Sequence, residues 1–256
     1  MKFSIITVCF NCDSTIRDTI ESVISQDYPD VEYIIVNGAS TDNTQSIINE
    51  YSDRIDAVVN EPDNGIYDAM NKGLALTTGE WVGILNADDF YQNPSVISNI
   101  AKCIDDSPDS DLVYGDVVFV DPKNVSNVTR YYRSSNFKAW QLRFGRMPPH
   151  PATFISRNAY QIAGNYELDY KISADYEMLV RLLLVHNFKI TRLDALLVRM
   201  RSGGVSTSGL RSNFILNREI IKACRDNGIY TNWLFVLSKI PFKLLELLPK
   251  LRFRDR

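Results

Sequence analysis

The chain has 256 residues, enough to bury a substantial core in one large domain or in a domain with appendages. Its 45% hydrophobic and 23% charged residues exclude a disordered or fibrous protein. The net charge of −3 argues against a general nucleic-acid-binding protein, so we expect no nucleic-acid partner.

The cysteine residues and the N-terminal sequence indicate the cellular compartment in which we expect the protein. The four cysteines (Cys9, Cys12, Cys103 and Cys224) form neither a disulfide framework nor a clear zinc motif, which favours a reducing compartment. Met1 is followed at once by a strand-like run without signal-peptide organisation. No segment reaches about 18 uninterrupted apolar residues, the length that a membrane-spanning helix needs. We therefore expect a cytoplasmic protein.

The first half of the chain alternates strands and helices. Apolar, β-branched runs predict strands, and apolar residues at helical spacing predict the helices between them. The predicted strands are Phe3–Phe10, Val31–Val36, Asp56–Val59 and Trp81–Leu85. The first predicted helix ends at Gln26, and the next two span Thr44–Tyr51 and Ile66–Leu76. Strict alternation predicts an α/β fold with a mainly parallel, Rossmann-like sheet flanked by helices.

Three polar loops follow strands of this sheet: the loop after Phe10, the loop Asn37–Asp42 and the loop Asn86–Asp89. Ligands bind beyond the carboxyl ends of the strands in open parallel sheets, so we expect the loops to meet in one crevice. The first strand is not followed by G-x-G-x-x-G, and the chain has no P-loop motif. This argues against a dinucleotide-dependent dehydrogenase and a P-loop NTPase.

Asp88 and Asp89 are adjacent carboxylates at the end of the buried run Trp81–Leu85. Such a pair is costly unless a cation lies beside it or the pKa values rise. Mg²⁺ or Mn²⁺ meets that need, because hard cations take carboxylate oxygens and keep positions open for phosphate. A surface turn with an aspartate helix cap is the alternative, and the convergence of the three loops favours the metal.

Several motifs in order resemble family 2 glycosyltransferases, in particular the branch found in bacterial exopolysaccharide and colanic-acid-type clusters. The resemblance covers roughly residues 1 to 205 and is carried by four segments: Ser4–Asn11, Val36–Asp42, Glu61–Gly73 and Asn86–Asp89. It implies a GT-A fold, a nucleotide-diphosphate sugar as donor, Mn²⁺ or Mg²⁺ as cofactor, and inversion at the anomeric carbon. A UDP-sugar is the favoured donor.

The same resemblance assigns roles around the donor. Asp88 is the first metal ligand and Asp89 a second ligand or an orienting partner. Asp68 and Lys72 share a helix face, either as nucleotide contacts or as a simple ion pair. Most relatives have aspartate at the positions of Asn37 and Asn86. The expected nucleotide-binding residues are Thr7, Asn11, Asn37, Ser40, Asp68, Lys72 and Asn86.

The second half is expected to supply the base and the acceptor site. The polar, basic segment Lys123–Met147 is either a lid or acceptor loop, or a structured excursion that packs its aromatic residues. His150 resembles an active-site histidine of the family, as a metal ligand, a phosphate donor or an acceptor contact, although a lone histidine is more often structural. Asp175 resembles the family's general base, although it could be only a favourable charge at a helix start. Ala174 stands where relatives often have Glu, and Glu177 is a weaker alternative base.

Two C-terminal segments remain. Residues 203–208 resemble the family's closing segment, although a plain loop fits equally well. Residues 233–256 combine leucine and aromatic residues with lysine and arginine at helical spacing. This pattern is typical of an amphipathic helical tail on an anionic membrane surface, or of a terminal helix packed on the domain or in a dimer.

The sequence thus predicts a nucleotide-sugar-binding half in residues 1–120, an acceptor-binding half in 121–210 and a helical tail in 211–256. The predicted activity is inverting sugar transfer to a saccharide or lipid-linked saccharide in cell-surface polysaccharide synthesis, with possible contact to the cytoplasmic face of the inner membrane. A catalytically silent module of the same fold and a sugar-1-phosphate nucleotidyltransferase are the alternatives.

Overall fold

The computed structural model of the chain describes residues 1–132, 134–135, 137–203 and 210–238. Within these residues nine strands form a single sheet. The strands are β1 Phe3–Cys9, β2 Val31–Asn37, β3 Ala57–Asn60, β4 Trp81–Ile84, β5 Asp89–Tyr91, β6 Leu112–Asp121, β7 Asn124–Tyr132, β8 Thr153–Ser156 and β9 Ile190–Arg201. The helices are α1 Ile16–Ile24, α2 Thr44–Asn49, α3 Ile66–Leu76, α4 Val96–Asp106, α5 Arg157–Ala163, α6 Ala174–Val180, α7 Leu210–Asp226 and α8 Trp233–Leu237.

The sheet has the strand order β3-β2-β1-β4-β8-β6-β9-β5, and β7 pairs with β6. Strands β1 to β4 are parallel, because a helix connects each of them to the next. In the second half β6 and β9 are parallel, whereas β8, β7 and β5 join the sheet through antiparallel pairs. The predicted α/β fold with its flanked central sheet is confirmed.

Helices cover the parallel strands on both faces. All seven residues of β1 are buried, as expected for a strand packed on both sides. Ile6 faces the core that includes Met70 of α3, and Ile5 faces the core that includes Ile20 of α1. Helix α3 lies so close to β1 that a Cβ atom at Gly73 would come within 2.5 Å of Ile6 Cγ2. This close approach fixes the height of α3 over the sheet.

The segment Lys123–Met147 is structured in its described part. Strand β7 forms a hairpin with β6, and a 3₁₀ helix spans Ala139–Phe144. Phe144 stacks on Phe235 of α8 with ring centroids 4.6 Å apart. The segment therefore packs some of its aromatic residues, such as Phe144, while Tyr131 and Trp140 are exposed, and a lid or acceptor role remains a prediction.

Two predicted segments fall largely outside the described residues. They are the closing segment, of which 204–208 is not described, and the tail beyond residue 238. Helix α8 is the described beginning of that tail. Among the residues that the structure describes, no helix combines the length and apolar character needed to cross a membrane.

A polar clamp holds the amino ends of the parallel strands. The buried carboxylate of Glu32 in β2 accepts hydrogen bonds from the Ser4 hydroxyl (2.5 Å), the Thr78 N–H (2.8 Å) and the Lys2 ammonium (2.9 Å). Burial alone would raise the pKa of Glu32, but these donors outweigh it and lower the pKa to about 2. Glu32 therefore joins β1, β2 and the start of β4 at the edge of the sheet opposite the polar loops.

We expect Glu32→Gln to lower the free energy of unfolding at pH 7 by roughly 3 kcal/mol, since each pKa unit represents about 1.4 kcal/mol. The folded-state pKa lies below the ordinary value of 4.5, so this stabilisation is present above pH 4.5 and is lost as the pH falls towards 2. Urea unfolding across this pH range measures the effect. The control Glu50→Gln removes an exposed partner of Arg17 and should change little. Equal losses in both variants would contradict the clamp.

Candidate active site

The loops after β1 and β2 are tied together beyond the carboxyl end of the sheet. Asn11 has a positive φ of 49°, a conformation that asparagine tolerates better than most residues. Its N–H donates to Ser40 Oγ (2.9 Å), and its Oδ1 accepts from the Thr41 N–H (2.8 Å). The predicted convergence of these two loops is therefore seen in their hydrogen bonds. Phe10, immediately before Asn11, is 62% exposed.

Two of the expected nucleotide-binding residues lie beneath this surface. Asn37 is fully buried; its amide donates to Gln45 Oε1 (2.8 Å) and its Oδ1 accepts from the Ser40 N–H (3.1 Å). Thr7 is also fully buried and accepts a hydrogen bond from the Tyr33 hydroxyl (3.1 Å). These contacts shape the loops that carry Asn11 and Ser40. A direct contact of Thr7 or Asn37 with a nucleotide stays a prediction.

Asp68 and Lys72 lie at the start of α3, next to the same crevice. Asp68 Oδ2 accepts from the Asn64 N–H at 2.9 Å and lies 3.8 Å from Lys72 Nζ. Lys72 Nζ also contacts Glu61 Oε1 at 2.8 Å, and this hydrogen bond raises the pKa of Lys72. The ion pair between Asp68 and Lys72 that the sequence suggested is therefore formed, and Glu61 lies closer to the Lys72 ammonium than Asp68 does. The nucleotide contacts of both residues remain predictions.

Asp88 and Asp89 follow β4 at the same edge. Asp89 is 2% exposed, and its pKa lies well above the ordinary value because burial and the Asp88 charge both disfavour ionisation. Burial likewise raises the pKa of Asp88, against the opposing charge of Arg201. Asp89 Oδ2 and Asn86 Oδ1 are buried without a hydrogen-bond partner in the described part of the chain. The described residues around the turn therefore do not fully offset the cost of burying its two carboxylates.

A divalent cation fits this deficit. The described residues contain no group of three or more His, Cys, Asp or Glu side chains that could hold a metal ion by themselves. Mg²⁺ and similar ions, however, are commonly held by one or two carboxylates together with substrate phosphates. Asp88 and Asp89 supply such a donor set, and Asn86 adds a carbonyl oxygen of the kind hard cations accept. The residues present are compatible with a metal whose coordination shell a diphosphate completes.

Arg201 supports the carboxylate turn and was missed by the sequence analysis. It ends β9, is 8% exposed, and donates through Nη1 to the Asp88 carbonyl (2.8 Å) and through Nη2 to the Asp18 carboxylate. Its guanidinium carbon lies 5.1 Å from the centroid of the Phe90 ring. The pairing of β5 with β9 that brings it there is non-local. Arg201 follows the apolar run Leu196–Val198 by three positions, and this was the only available signal and a weak one.

Asp175 lies in the first turn of α6 and is partly buried. Its Oδ1 accepts from the Tyr176 N–H (2.9 Å) and from the Tyr67 hydroxyl of α3 (3.3 Å). Burial raises the pKa of Asp175, and the nearby His150 opposes that effect. No described residue donates a hydrogen bond to Oδ2. The carboxylate thus has one anchored oxygen and one oxygen available to a ligand.

His150 belongs to a buried cluster of tyrosines next to Asp175. Its Nε2 lies 2.8 Å from the Tyr166 hydroxyl, which in turn lies 2.9 Å from the Tyr160 hydroxyl. Burial lowers the pKa of His150, although the Asp175 charge opposes this. His150 is linked to Asp175 through Tyr166 and Tyr67. A contact of His150 with metal, phosphate or acceptor remains untested.

Glu177, the alternative base, is fully engaged elsewhere. It is buried, its Oε2 accepts from Arg181 at 2.8 Å, and its Oε1 accepts from Asn227 at 2.9 Å. Asp175 is the freer carboxylate. A cleft of about 270 Å³ lies between residues 64–68 at the start of α3 and the segment containing Leu168, Tyr170 and Lys171. Tyr67 lines this cleft and its hydroxyl contacts Asp175, so this side chain connects the cleft to the carboxylate.

A parallel βαβ half that ends in paired carboxylates, joined to a mixed half that supplies a half-buried aspartate, is the architecture of a glycosyltransferase of the GT-A type. The chain belongs to glycosyl transferase family 2, whose family profile matches residues 4–160. The fold is similar to that of Staphylococcus aureus TarS 1-349 in complex with UDP-GlcNAc, with a TM-score of 0.70 and 20% identity. That match covers 87% of this chain and 66% of TarS 1-349.

Two sequence relatives carry named activities. A PGL/p-HBAD biosynthesis glycosyltransferase of Mycobacterium bovis is 31% identical over 230 residues, covering 86% of this chain and 82% of the relative. The Escherichia coli UDP-Glc:alpha-D-GlcNAc-diphosphoundecaprenol beta-1,3-glucosyltransferase WfaP is 37% identical over 98 residues, covering 38% of this chain and 39% of WfaP.

We expect Arg201→Gln to destabilise the protein by about 2 kcal/mol, since it removes buried, charge-assisted hydrogen bonds. For a domain of this size the melting temperature should fall by roughly 5 °C. Amide hydrogen exchange should accelerate selectively at residues 86–89, because the Asp88 carbonyl loses its partner. Arg199→Gln is the control, since Arg199 donates to Gln92 and to the Val125 carbonyl instead. Accelerated exchange of the turn in both variants, or in neither, would contradict the role of Arg201.

Proposed function

We propose that the protein transfers a sugar, with inversion, from a nucleotide-diphosphate sugar to a saccharide or lipid-linked saccharide in cell-surface polysaccharide synthesis. The observation that carries this proposal is the geometry of Asp175: Oδ1 is anchored by Tyr67 and Tyr176, no described residue donates to Oδ2, and Tyr67 connects the carboxylate to a cleft. Residues 1–120 bind the donor in this proposal, and residues 121–210 carry the base and help to form the acceptor site.

The donor nucleotide occupies the crevice formed by the loops after β1, β2 and β4. Phe10 offers an exposed aromatic face on which a base can stack, an interaction that every base can make. Asn11 and Ser40 present polar groups beside it, while Thr7 and Asn37 support their loops from below. A UDP-sugar is the favoured donor, supported by the UDP-GlcNAc bound to TarS and the UDP-Glc used by WfaP.

Three further residues extend the donor site towards the phosphates. Asp68 and Lys72 present a paired carboxylate and ammonium from α3, and Asn86 presents an amide from the turn after β4. Asp88 and Asp89 hold Mn²⁺ or Mg²⁺, which when bound neutralises the charge that develops on the departing diphosphate. Such a cation lowers the raised pKa values of both carboxylates, because it favours their ionised forms.

The reaction is a single displacement. An acceptor hydroxyl in the cleft gives its proton to Asp175 Oδ2 while its oxygen bonds to the anomeric carbon. The bond from that carbon to the diphosphate breaks on the opposite face, and the nucleoside diphosphate leaves with the electron pair. Burial helps Asp175 in this role, because a raised pKa makes the carboxylate a stronger base at neutral pH. Attack opposite the leaving group accounts for inversion.

We expect two substitutions to separate donor binding from transfer. Asp88→Asn should weaken Mn²⁺-dependent binding of UDP at least tenfold, because a metal ligand loses its charge. Asp175→Asn should bind UDP normally but transfer sugar about 10²–10⁴-fold more slowly, the usual contribution of a general base. Calorimetry with UDP, and transfer assays with a panel of UDP-sugars and saccharide acceptors, measure the two effects.

The matched control is Asp194→Asn, since Asp194 is an exposed carboxylate of β9 that contacts only Arg192 among its described partners. Full transfer activity in both Asp88→Asn and Asp175→Asn would overturn the mechanism. Wild-type protein that binds neither UDP nor GDP, dTDP or CDP, with or without Mn²⁺, would favour the catalytically silent module instead.

We also propose that residues 233–256 contact an anionic membrane surface on the cytoplasmic side, where a lipid-linked acceptor is presented. Leu234 is 81% exposed, and Trp233 stacks on the exposed Phe214 of α7 with ring centroids 5.9 Å apart. Trp140 is exposed on the 3₁₀ helix whose Phe144 contacts α8. Lysine and arginine recur through the rest of this tail in the sequence. The diphosphoundecaprenol acceptor named for WfaP supports a lipid-linked substrate.

We expect the full chain to cosediment with vesicles that contain anionic lipid and not with neutral vesicles, and high salt should release it. Leu234→Ser combined with Trp140→Ser should reduce the bound fraction several-fold, because exposed apolar side chains supply the insertion. Ile162→Ser removes a similarly exposed apolar residue of α5 and serves as the control. Equal binding by all three proteins, or binding to neutral vesicles, would contradict the membrane proposal.

A further inference from the structure

Tyr67 links the donor half of the site to the base. It lies in α3 one residue before Asp68, is only 7% exposed, and its hydroxyl is 3.3 Å from Asp175 Oδ1 in α6. The Tyr176 N–H is bonded to the same oxygen at 2.9 Å. Two donors therefore converge on Oδ1, which fixes the plane of the carboxylate and turns Oδ2 away from both.

The ring of Tyr67 is itself held in place. It stacks on Tyr166 with ring centroids 6.0 Å apart and an angle of 24° between the planes. The Tyr166 hydroxyl is bonded to His150, and its backbone N–H and carbonyl are both bonded to the Asn71 side chain at 2.8 Å. Because Asn71 is on α3 as well, the helix fixes both Tyr67 and the ring against which Tyr67 packs.

We propose that Tyr67 is a positioning residue for the transfer reaction, holding the Asp175 carboxylate in its reactive orientation and setting the pH range in which it accepts a proton. This inference rests on the proposed role of Asp175 as general base and goes beyond it. Tyr67 does not touch the reacting atoms in this role. It acts on them only through Asp175.

The direction of the pH effect follows from the groups that face Asp175. Tyr67 approaches from α3, and His150 and Tyr166 approach from the segment before α6. The Glu219 carboxylate of α7 accepts hydrogen bonds from the N–H groups of residues 171–173, just before α6. Burial raises the pKa of Asp175, whereas the Tyr67 hydrogen bond and His150 lower it. Loss of the Tyr67 hydroxyl therefore removes a group that favours the carboxylate, and the pKa rises further.

The test is the pH profile of kcat/KM for sugar transfer. With Tyr67→Phe the acidic limb should move to higher pH by about 0.5 to 1 unit, the size expected when one hydrogen bond to a charged group is lost. Site-specific 3-fluorotyrosine at position 67 should move the limb to lower pH, because the fluorinated phenol is a stronger donor. This second variant keeps the ring and the hydroxyl, so it tests the proposal even if Tyr67→Phe folds poorly.

Tyr114→Phe is the matched control. Tyr114 is a buried tyrosine of β6 whose hydroxyl donates over the same distance, 3.3 Å, to the Ser134 carbonyl, away from Asp175. It should lower the melting temperature without moving the acidic limb. An unmoved limb in both Tyr67 variants, with Asp175→Asn inactive, would overturn the positioning role alone. An active Asp175→Asn enzyme would instead overturn the underlying assignment of the base.

Discussion

The parallel alignment of β1, β2 and β4 is the constraint on which the rest of the molecule depends. Because the strands run in one direction, all their amino ends lie at one edge and all their carboxyl ends at the other, with Cys9 opposite Asn37 in the register. The Glu32 clamp occupies the first edge, and the polar loops of the site occupy the second. Residues that stabilise the sheet are thereby separated from residues that bind ligands.

The second edge contains more buried negative charge than the described residues compensate. Burial raises the pKa values of Asp88, Asp89 and Asp175. Arg201 opposes this effect at the first two and His150 at the third. Burying these carboxylates is unfavourable, so a cation or a proton-donating ligand gains more free energy by binding there than at a neutral surface. The electrostatics of the site thus favour the two events of the proposed reaction: metal binding and proton acceptance.

The elements predicted from sequence were those with local signals. Composition and periodicity predicted elements such as the strand Val31–Val36 and the helix Ile66–Leu76. The order of the motifs indicated the family. Strands β5 and β9 carry no comparable signal, because their pairing joins residues about a hundred positions apart. Arg201, placed by that pairing, was missed for the same reason. The burial of Asn37 could not be predicted from the sequence either, since a polar residue in a loop motif is expected to face the ligand.

Helix α3 shows why the motif Gly65–Gly73 is so dense in functional groups. Successive helical residues are about 100° apart, so Tyr67 and Asp68 point in different directions from adjacent positions. Asp68 is paired with Lys72 one turn later, whereas the Tyr67 hydroxyl is bonded to Asp175. Gly73 lets the helix pack directly on β1, which fixes both directions relative to the sheet. A displacement of α3 would therefore disturb the Asp68–Lys72 pair and Tyr67 together, and the close packing of Gly73 on Ile6 of β1 limits such a displacement.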